Sequence, residues 1–451
     1  MIISNYSDIA TTQARKNALD ILSAGVNSAL PEKFMSVHLN YSYPYLTVKG
    51  NKFDISKGDL YVIGGGKASG LMALEFEKIV SPEAIKGGIV NSKTSLETKK
   101  IVVNRASHPI PDERGAEGVM KMLNLTKNLR PEDTVVCLLS GGGSALLPCP
   151  PHSVSLKDLQ DLTSMLIRSG AMTYEINIVR KHVSLIKGGQ LARHLYPAQV
   201  ISLIVSDDLE GKEDTASRPT SYDPFTFDEA VAILKKYSLW EKVPKSVQDH
   251  LTQGTSGFIK DTVKKNDTVL DKVHNFILAD NKIALEAMST RAHSMGFKPI
   301  ILHETLTGET KYAAEKMANL FRHYSTIEAQ SFAIIYSSET TVKVNGKGLG
   351  GRNQEFITYL LEKIHSNRHF VIIALDSDGV DFIEGVAGAI MDNSTQSQVK
   401  EKKLNLQKSL SENDSFSVHN SLGTIIQMNP TNTNVGDFHL FLCLKEGNKS
   451  I

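Results

Sequence analysis

Hydrophobic residues in this chain occur in short runs that alternate with amphipathic stretches. The runs at 60–63, 101–103, 134–139 and 200–205 have the length and the β-branched content of buried strands. Helical periodicity marks 10–30, 70–80, 115–129 and 156–169. Strands that alternate with helices predict an α/β fold with a mainly parallel sheet, covered by helices on both faces, whose ligands bind at the carboxyl ends of the strands.

A polar and charged stretch at 239–271 ends this first part of the chain. We therefore expect an N-terminal domain over 1–270 and a second α/β domain over 271–451, whose last strands could return to the first domain. Segment 400–413 is expected to be a loop or an exposed helix. The strands expected in the second domain are 276–279, 299–303, 332–336, 370–375, 423–428 and 438–444.

Charge and cysteine content exclude several classes of protein. The 451 residues include 50 Lys and Arg against 49 Asp and Glu, so the net charge of +1 favours neither nucleic acid nor a membrane surface. Apolar runs stay well below the ~18 residues that span a bilayer, and the N-terminus lacks a signal-peptide pattern. A cytoplasmic protein is expected. Three scattered cysteines predict neither a disulfide scaffold nor a zinc site.

Four glycine-rich turns follow predicted strands, at 64–67, 140–144, 350–355 and 376–379. Glycine lets backbone N–H groups converge on a phosphate, and a helix N-terminus adds positive potential. The alternative is an ordinary strand-to-helix turn for the first of them and a plain tight turn for the second. Four in one chain, two of them with a cation, favour a phosphate-handling enzyme. The candidate phosphate ligands are Gly65, Gly66, Ser140, Gly141, Gly142, Gly143 and Ser144, with Lys67 and Arg352 as cations.

The first turn matches neither common nucleotide motif. The P-loop pattern is absent. A dinucleotide fingerprint would need a third glycine where Ser69 stands, and an acid at the end of the next apolar run, where Asn91 follows Val90. Both differences argue against a dehydrogenase.

Basic residues continue into segment 175–189, which is expected to be a helix that ends at Gly188-Gly189. Arg180, Ser184 and Lys187 would then share one face. That face either binds a ligand together with Asn177 or is simply solvated.

Acidic residues also follow two strands, with Asp207 after 200–205 and Asp376, Asp378 and Asp381 after 370–375. Acids in turns are commonly caps. The alternative is a Mg²⁺ site, since Mg²⁺ takes one or two carboxylates in addition to phosphate oxygens. Asp207 and Asp378 are the candidate ligands.

Together these segments resemble the class II glycerate 2-kinases, whose C-terminal half is the MOFRL domain. The resemblance implies a Rossmann-like N-terminal domain, a smaller α/β C-terminal domain and, in a cleft between them, ATP- and Mg²⁺-dependent phosphorylation of D-glycerate at its 2-hydroxyl. Lys67 and Arg352 correspond to the catalytic cations and Asp207 to a strand-end acid that binds Mg²⁺ or accepts the hydroxyl proton. The matching segments are 64–69, 107–112, 140–146, 175–192, 206–207, 216–217 with 219–220, 339–342, 350–355 with Glu355 as a binding residue, 378–381 and 433–435.

The chain departs from the family pattern at several glycines. Arg218 stands where the family has glycine, Ser337-Ser338 replace a glycine pair, and 382–384 replace a Gly-Pro-Thr stretch with Phe382 first. A lost glycine near a ligand would narrow the pocket or shift its specificity.

Two other functions are weighed against the kinase. One is an NAD(P)-dependent hydroxypyruvate reductase, which the missing dinucleotide fingerprint disfavours. The other is a non-enzymatic ligand-binding protein, which the number of ionic groups at strand ends disfavours. The sequence leaves the phosphate donor and the oligomeric state, a homodimer included, open.

Overall fold

The computed structural model describes residues 2–108, 110–206, 217 and 219–445. These fall into two compact units, one formed by residues 31–278 and the other by residues up to 30 together with those from 279 onward. The border thus lies at 278/279 instead of the expected 270/271, and the first 30 residues group with the C-terminal half. Within the described residues, none of the helices combines the length and apolar character that crossing a membrane requires.

The secondary structure elements are numbered here in chain order. The helices are α1 Tyr6–Ile9, α2 Gln13–Ser28, α3 Pro31–His38, α4 Ser69–Ile79, α5 Glu113–Leu125, α6 Gly143–Leu146, α7 Leu156–Arg168, α8 Thr173–His182, α9 Gln190–Leu195, α10 Phe227–Lys236, α11 Lys245–Thr255, α12 Asn281–Ser294, α13 Thr310–Ile327, α14 Arg352–Lys363, α15 Asn393–Glu401, α16 Leu406–Ser411 and α17 Ser415–Leu422. The strands are β1 Leu39–Ser42, β2 Tyr45–Val48, β3 Asn51–Asp54, β4 Leu60–Gly65, β5 Ile85–Ser92, β6 Ile101–Arg105, β7 Thr134–Leu139, β8 Gln199–Val205, β9 Val273–Ala279, β10 Lys298–Glu309, β11 Phe332–Thr341, β12 Phe370–Asp376, β13 Val386–Asp392, β14 Ile425–Gln427 and β15 Asp437–Cys443.

The sheet of the 31–278 unit has the strand order β6-β5-β4-β7-β8-β9. Strands β4 to β8 pair in parallel. The first strand of this sheet lies in the middle, and the chain order reverses between β4 and β7, which is the doubly wound Rossmann arrangement. The predicted fold class is confirmed. In such a sheet, ligands bind beyond the carboxyl ends of the strands at the point of reversal.

Two parts of the first unit differ from the sequence-based expectation. Strand β9 covers the segment expected to open the second domain, but it forms the edge of the first sheet beside β8. A separate antiparallel sheet of β1, β2 and β3 was not predicted. Its strands are four residues each and partly exposed, so they lack the continuous apolar runs that mark a buried strand.

The second sheet is mixed and has the order β10-β11-β15-β12-β13-β14. Strands β10 and β11 are parallel, whereas the other neighbours are antiparallel. Strands β12 and β15 are buried along their whole length, and β15, the last strand described, lies between β11 and β12. It therefore stays in the C-terminal half and does not return to the first sheet.

A buried ion pair ties the N-terminal segment to this second sheet. The Arg15 guanidinium on α2 donates to Asp392 over 2.6 Å and to the Thr395 hydroxyl over 3.1 Å. Asp392 also caps α15 through the Thr395 amide. Because Arg15 and Asp392 are both buried, losing either partner would leave an uncompensated charge in the core.

We expect Arg15→Ala to lower the free energy of unfolding by about 3 kcal/mol, because the Asp392 carboxylate stays buried without its partner. Urea unfolding followed by circular dichroism measures this. The matched control is Arg291→Ala, which removes an exposed contact to Asp20 over 3.5 Å and should cost at most about 1 kcal/mol. Equal small losses in the two variants would contradict the role given to Arg15.

Candidate active site

Two glycine turns interlock where the strand order reverses. The Lys67 amide after β4 donates to the Gly141 carbonyl over 2.8 Å, and the Ala68 amide donates to Ser140 Oγ over 2.9 Å. Gly66 has a φ of 148°, and a Cβ placed on it would lie 2.1 Å from Ser140 Oγ. Only glycine fits here, because both its φ and the closeness of the second turn exclude a side chain.

Several of the predicted phosphate ligands are engaged in holding these turns together. The Gly66 amide donates to the Asn91 carbonyl over 3.2 Å, and Gly65 is a strand residue paired with Leu139. The Ser140 hydroxyl oxygen accepts from Ala68. These groups shape the turn, and their predicted contact with phosphate stays a prediction.

The second turn keeps backbone donors of its own. Within the described part of the chain, the amides of Gly141 and Gly142 donate no hydrogen bond. Gly142 has a φ of 81°, and a Cβ placed on it would lie 3.2 Å from Lys67 Cγ and 3.1 Å from His108 Cδ2. The Lys67 side chain and the His108 ring therefore meet at Gly142. His108 was not predicted as a site residue, although it lies in one of the family-like segments.

A small cavity beside this turn brings together three residues that the sequence analysis proposed. Ser144, Arg180 and Lys187 line a space of about 20 Å³, with Ser184 at its wall. That volume is about the size of one water molecule. Lys187 Nζ donates to the Gly143 carbonyl over 3.1 Å, so the lysine and the glycine turn are in direct contact.

The reason given for this grouping was wrong. Helix α8 ends at His182, so Ser184 and Lys187 lie beyond it and cannot share its face with Arg180. Lys187 is only 5% exposed, which also rules out the solvated basic face. The residues meet because the chain after α8 folds back along the Gly143 turn.

Burial has a strong effect on the charge of Lys187. Desolvation first, and then the nearby Arg180 cation, lower the pKa of Lys187 to about 7. Burial also lowers the pKa of Arg180. No carboxylate of the described residues lies within ion-pair distance of Lys187. An anion that binds here would supply the missing negative charge and raise the pKa of Lys187 again.

We therefore expect anion binding to take up protons at pH 8, where the free Lys187 is mostly neutral. Chloride is a suitable probe because it is a small anion, close in size to a water molecule, and does not titrate in this range. Calorimetry in buffers of different ionisation enthalpy should show uptake that approaches about one proton per bound chloride. Lys187→Met should abolish the uptake, whereas Lys78→Met, which changes an exposed lysine on α4, should preserve it. Uptake that survives in Lys187→Met would assign the proton to another group.

Further buried polar residues extend this side of the first unit. The Ser217 hydroxyl donates to Asn177 Oδ1 over 3.3 Å. Lys181 pairs with Asp223 over 2.6 Å, and both are buried. Asn177 is therefore held by protein contacts next to the predicted basic residues. The proposed Asp207 lies outside the described residues, as does Arg218.

The second unit holds Arg352 at the first position of α14, after Gly350-Gly351. Its guanidinium donates twice to Asp437, through Nε over 2.5 Å and Nη2 over 2.7 Å, and once to Asp376 over 3.1 Å. The fork that was expected to grip a ligand is thus occupied by a protein carboxylate. Asp437 was not predicted, since nothing local in the sequence connects it with Arg352.

Sheet register explains this arrangement of charges. Asp376 ends β12 and Asp437 begins β15, and the two are direct partners in the antiparallel ladder. Burial, followed by the charge of Asp437, raises the pKa of Asp376 well above its ordinary value. Burial also raises the pKa of Asp437, although Arg352 opposes this effect. The positive charge of Arg352 offsets part of the free-energy cost of burying these two adjacent carboxylates.

The other two predicted acids after β12, Asp378 and Asp381, accept hydrogen bonds from backbone amides. Asp381 accepts from the amides of Asn353 over 3.1 Å and Gln354 over 2.9 Å, so it occupies the N-terminus of α14. Asp378 Oδ1 accepts from the Val380 amide over 2.9 Å. Within the described residues, no three acidic, histidine or cysteine side chains form a group that could hold a metal ion.

A larger cavity of about 490 Å³ opens beside α14. Arg352 and Glu355 form part of its wall, and burial raises the pKa of Glu355 to about 7. Asn413 donates to Glu355 Oε2 over 3.3 Å. The rest of the wall includes the apolar side chains of Val342, Val344, Val380 and Phe382.

Ser337 and Ser338, which replace the glycine pair of the family pattern, do not line this cavity. Ser338 Oγ contacts His439 Nε2 over 2.9 Å, and Ser337 Oγ accepts from Asn281 over 3.1 Å. Both serines are buried and neither lines the cavity. Phe382, by contrast, lies on its wall.

Comparison with known proteins agrees with this architecture. Residues 17–252 match the family model of a domain of unknown function called DUF4147, and residues 332–437 match that of the MOFRL family. A glycerate 2-kinase of Pyrococcus horikoshii is 37% identical over 93% of this chain and 95% of its own. The crystal structure of a glycerate kinase from Thermotoga maritima has a TM-score of 0.82, is 29% identical and covers 95% of this chain and 99% of its own.

These matches define an α/β protein of the combined DUF4147 and MOFRL type. The chain belongs to this family, which includes the glycerate 2-kinases, so the resemblance is confirmed. Another relative, from Agrobacterium vitis, bears the name "Putative hydroxypyruvate reductase". It is 33% identical over 88% of this chain and 90% of its own. Relatives of this chain thus carry the names of both functions.

Proposed function

We propose that this protein transfers the γ-phosphoryl group of ATP to the 2-hydroxyl of D-glycerate, giving 2-phosphoglycerate and ADP. The observation that carries the proposal is the cluster of cations at the glycine turn after β7, where Lys67 meets Gly142 and Lys187 contacts Gly143. Anion-binding groups at the reversal point of a doubly wound sheet suit a phosphorylated ligand. The choice of glycerate as the substrate is based on the relatives that are named glycerate 2-kinase.

Phosphoryl transfer needs in-line positioning and neutralisation of the charge on the transferring group. In this proposal, the amides of Gly141 and Gly142, together with Gly143 and Ser144, bind phosphate oxygens. Lys67 neutralises the transferring group. Arg180 and Lys187 hold a second anionic group, and Asp207 accepts the hydroxyl proton or binds the metal.

In this proposal, Arg352 remains a site residue, but its role differs from the predicted one. Its fork is occupied by Asp437, so it does not hold a ligand with two parallel hydrogen bonds. Its side chain is still 33% exposed and lines the cavity beside Glu355. We propose that it keeps the carboxylates of Asp376 and Asp437 in place and offers its exposed side to an anionic ligand.

Mg²⁺ is part of the proposal as the counter-ion of ATP. The described residues lack a three-ligand cluster, and Mg²⁺ bound to a nucleotide relies mainly on phosphate oxygens and water, with one or two carboxylates. Asp378 and Asp207 are the carboxylates proposed for it.

The decisive experiment compares two reactions of the purified protein with D-glycerate. Formation of ADP from ATP, with 2-phosphoglycerate identified by phosphorus NMR, is the expected result. Reduction of NAD or NADP by glycerate, or oxidation of the reduced cofactor by hydroxypyruvate, should not occur, because the turn after β4 lacks the dinucleotide fingerprint. Cofactor turnover without ADP would establish the reductase, and the absence of both reactions would favour a binding protein.

We expect Lys67→Ala to lower kcat by about 10²-fold, as loss of one group that stabilises the charge of the transition state does. The KM for glycerate should change much less. Steady-state ADP release measures both. Lys78→Ala removes a lysine from the last turn of α4, at the far end of the helix that follows this glycine turn. Its side chain is exposed and paired with Glu75, so the kinetics of this variant should match those of the parent. A loss below about 10-fold in Lys67→Ala would remove Lys67 from the catalytic groups.

A further inference from the structure

Phe382 has a backbone conformation that its side chain disfavours. Its φ is 68°, in the left-handed region, where a bulky residue is a steric outlier. Phe382 is 78% exposed, so burial in a hydrophobic core does not compensate for the strain. Strained residues of this kind concentrate at functional sites. Glycine would adopt this φ without strain.

The surroundings of Phe382 point to the type of ligand. It lies on the wall of the 490 Å³ cavity together with Val342, Val344 and Val380. Val344 is 75% exposed as well, so an apolar surface faces solvent within this cavity. Arg352 and Glu355 lie on the same wall. The cavity thus combines an apolar surface, with one aromatic ring, and a pair of ionisable groups.

We propose that this cavity binds the base of the nucleotide that donates the phosphoryl group, with the base stacked on the Phe382 ring. The inference rests on the proposed function, because that function requires a nucleotide. Glycerate is a poor fit to the apolar surface, since each of its three carbons carries oxygen. A nucleobase has two flat apolar faces, and its stacking on an aromatic ring contributes substantially to affinity.

The assigned role makes Phe382 a residue that determines affinity for the donor. Because every base has a stacking face, the ring alone gives affinity without strong preference among bases. Selection among bases would come from the polar groups of the cavity, of which Glu355 and Asn413 are joined by a hydrogen bond.

The test uses the full-length protein with Phe382→Gly, which removes the ring and suits the left-handed φ, and Phe382→Tyr, which keeps the ring. Calorimetry gives the Kd for ATP and for inorganic tripolyphosphate, which has phosphates but no base. Phe382→Gly should raise the Kd for ATP about 10-fold and leave the Kd for tripolyphosphate unchanged. Phe382→Tyr should keep the Kd for ATP within about 2-fold of that of the parent. The KM for ATP should rise in parallel, while the KM for glycerate stays constant.

Two controls separate this effect from loss of folding. Phe258→Gly removes an exposed phenylalanine from the other unit and should change none of these constants. Phe382→Gly relieves the left-handed strain and gives up little burial, so its melting temperature should not fall below that of the parent.

The outcomes separate this inference from the proposed function. Equal ATP affinity in Phe382→Gly and the parent would overturn the stacking role even where glycerate-dependent ADP release proves the kinase. An equal loss of affinity for ATP and for tripolyphosphate in Phe382→Gly would overturn the stacking role as well. So would an increase in the KM for glycerate alone. If the parent makes no ADP from glycerate, the proposed function fails, and the ATP affinities of the two variants still decide whether a base binds at Phe382.

Discussion

The hydrogen bond from the Ala68 amide to Ser140 Oγ joins the two turns on which the candidate site of the first unit depends. It works because β4 and β7 are neighbours in the sheet and glycine at 66 lets the backbones approach. The position of Lys67 follows from it, since the Lys67 amide is fixed on Gly141. Gly142, the Lys67 side chain and His108 are brought together as a result. Any larger residue at 66 would separate the turns and move each of these groups.

The protein itself uses many of the donors that a ligand was expected to use. Asp381 occupies the first amides of α14, and Asp437 occupies the fork of Arg352. Such buried groups need partners whether or not a ligand is bound, because an unpaired buried polar group is costly. Lys187 is the contrasting case, since among the described residues its Nζ donates to the carbonyl of Gly143. A buried cation that contacts only a neutral acceptor has a large potential gain from an anion.

Local sequence patterns predicted the parts of the structure that depend on neighbours in the chain. The apolar runs located β4, β6, β7 and β8, and the glycine turns identified the groups that now surround Gly142. Pairing between distant segments could not be read in this way. Asp437 lies 85 residues from Arg352, and its role depends on β15 entering the sheet beside β12. The end of α8 was also missed, because Ser184 and Lys187 continue an apparent helical spacing after the helix has stopped.

The grouping of the first 30 residues with the C-terminal half affects how the chain becomes folded during its synthesis. Arg15 and Asp392 are separated by 377 residues, so α2 leaves the ribosome long before its partners exist. The whole of the 31–278 unit is made in that interval and has all of its own strands available to fold. Helix α2 packs mainly against α12, with further contacts to β12 and β15, so its buried apolar face stays without partners until those elements have been made. The apolar residues of this segment therefore remain exposed until α12 has been made, and such unpaired apolar surface makes a growing chain prone to aggregation.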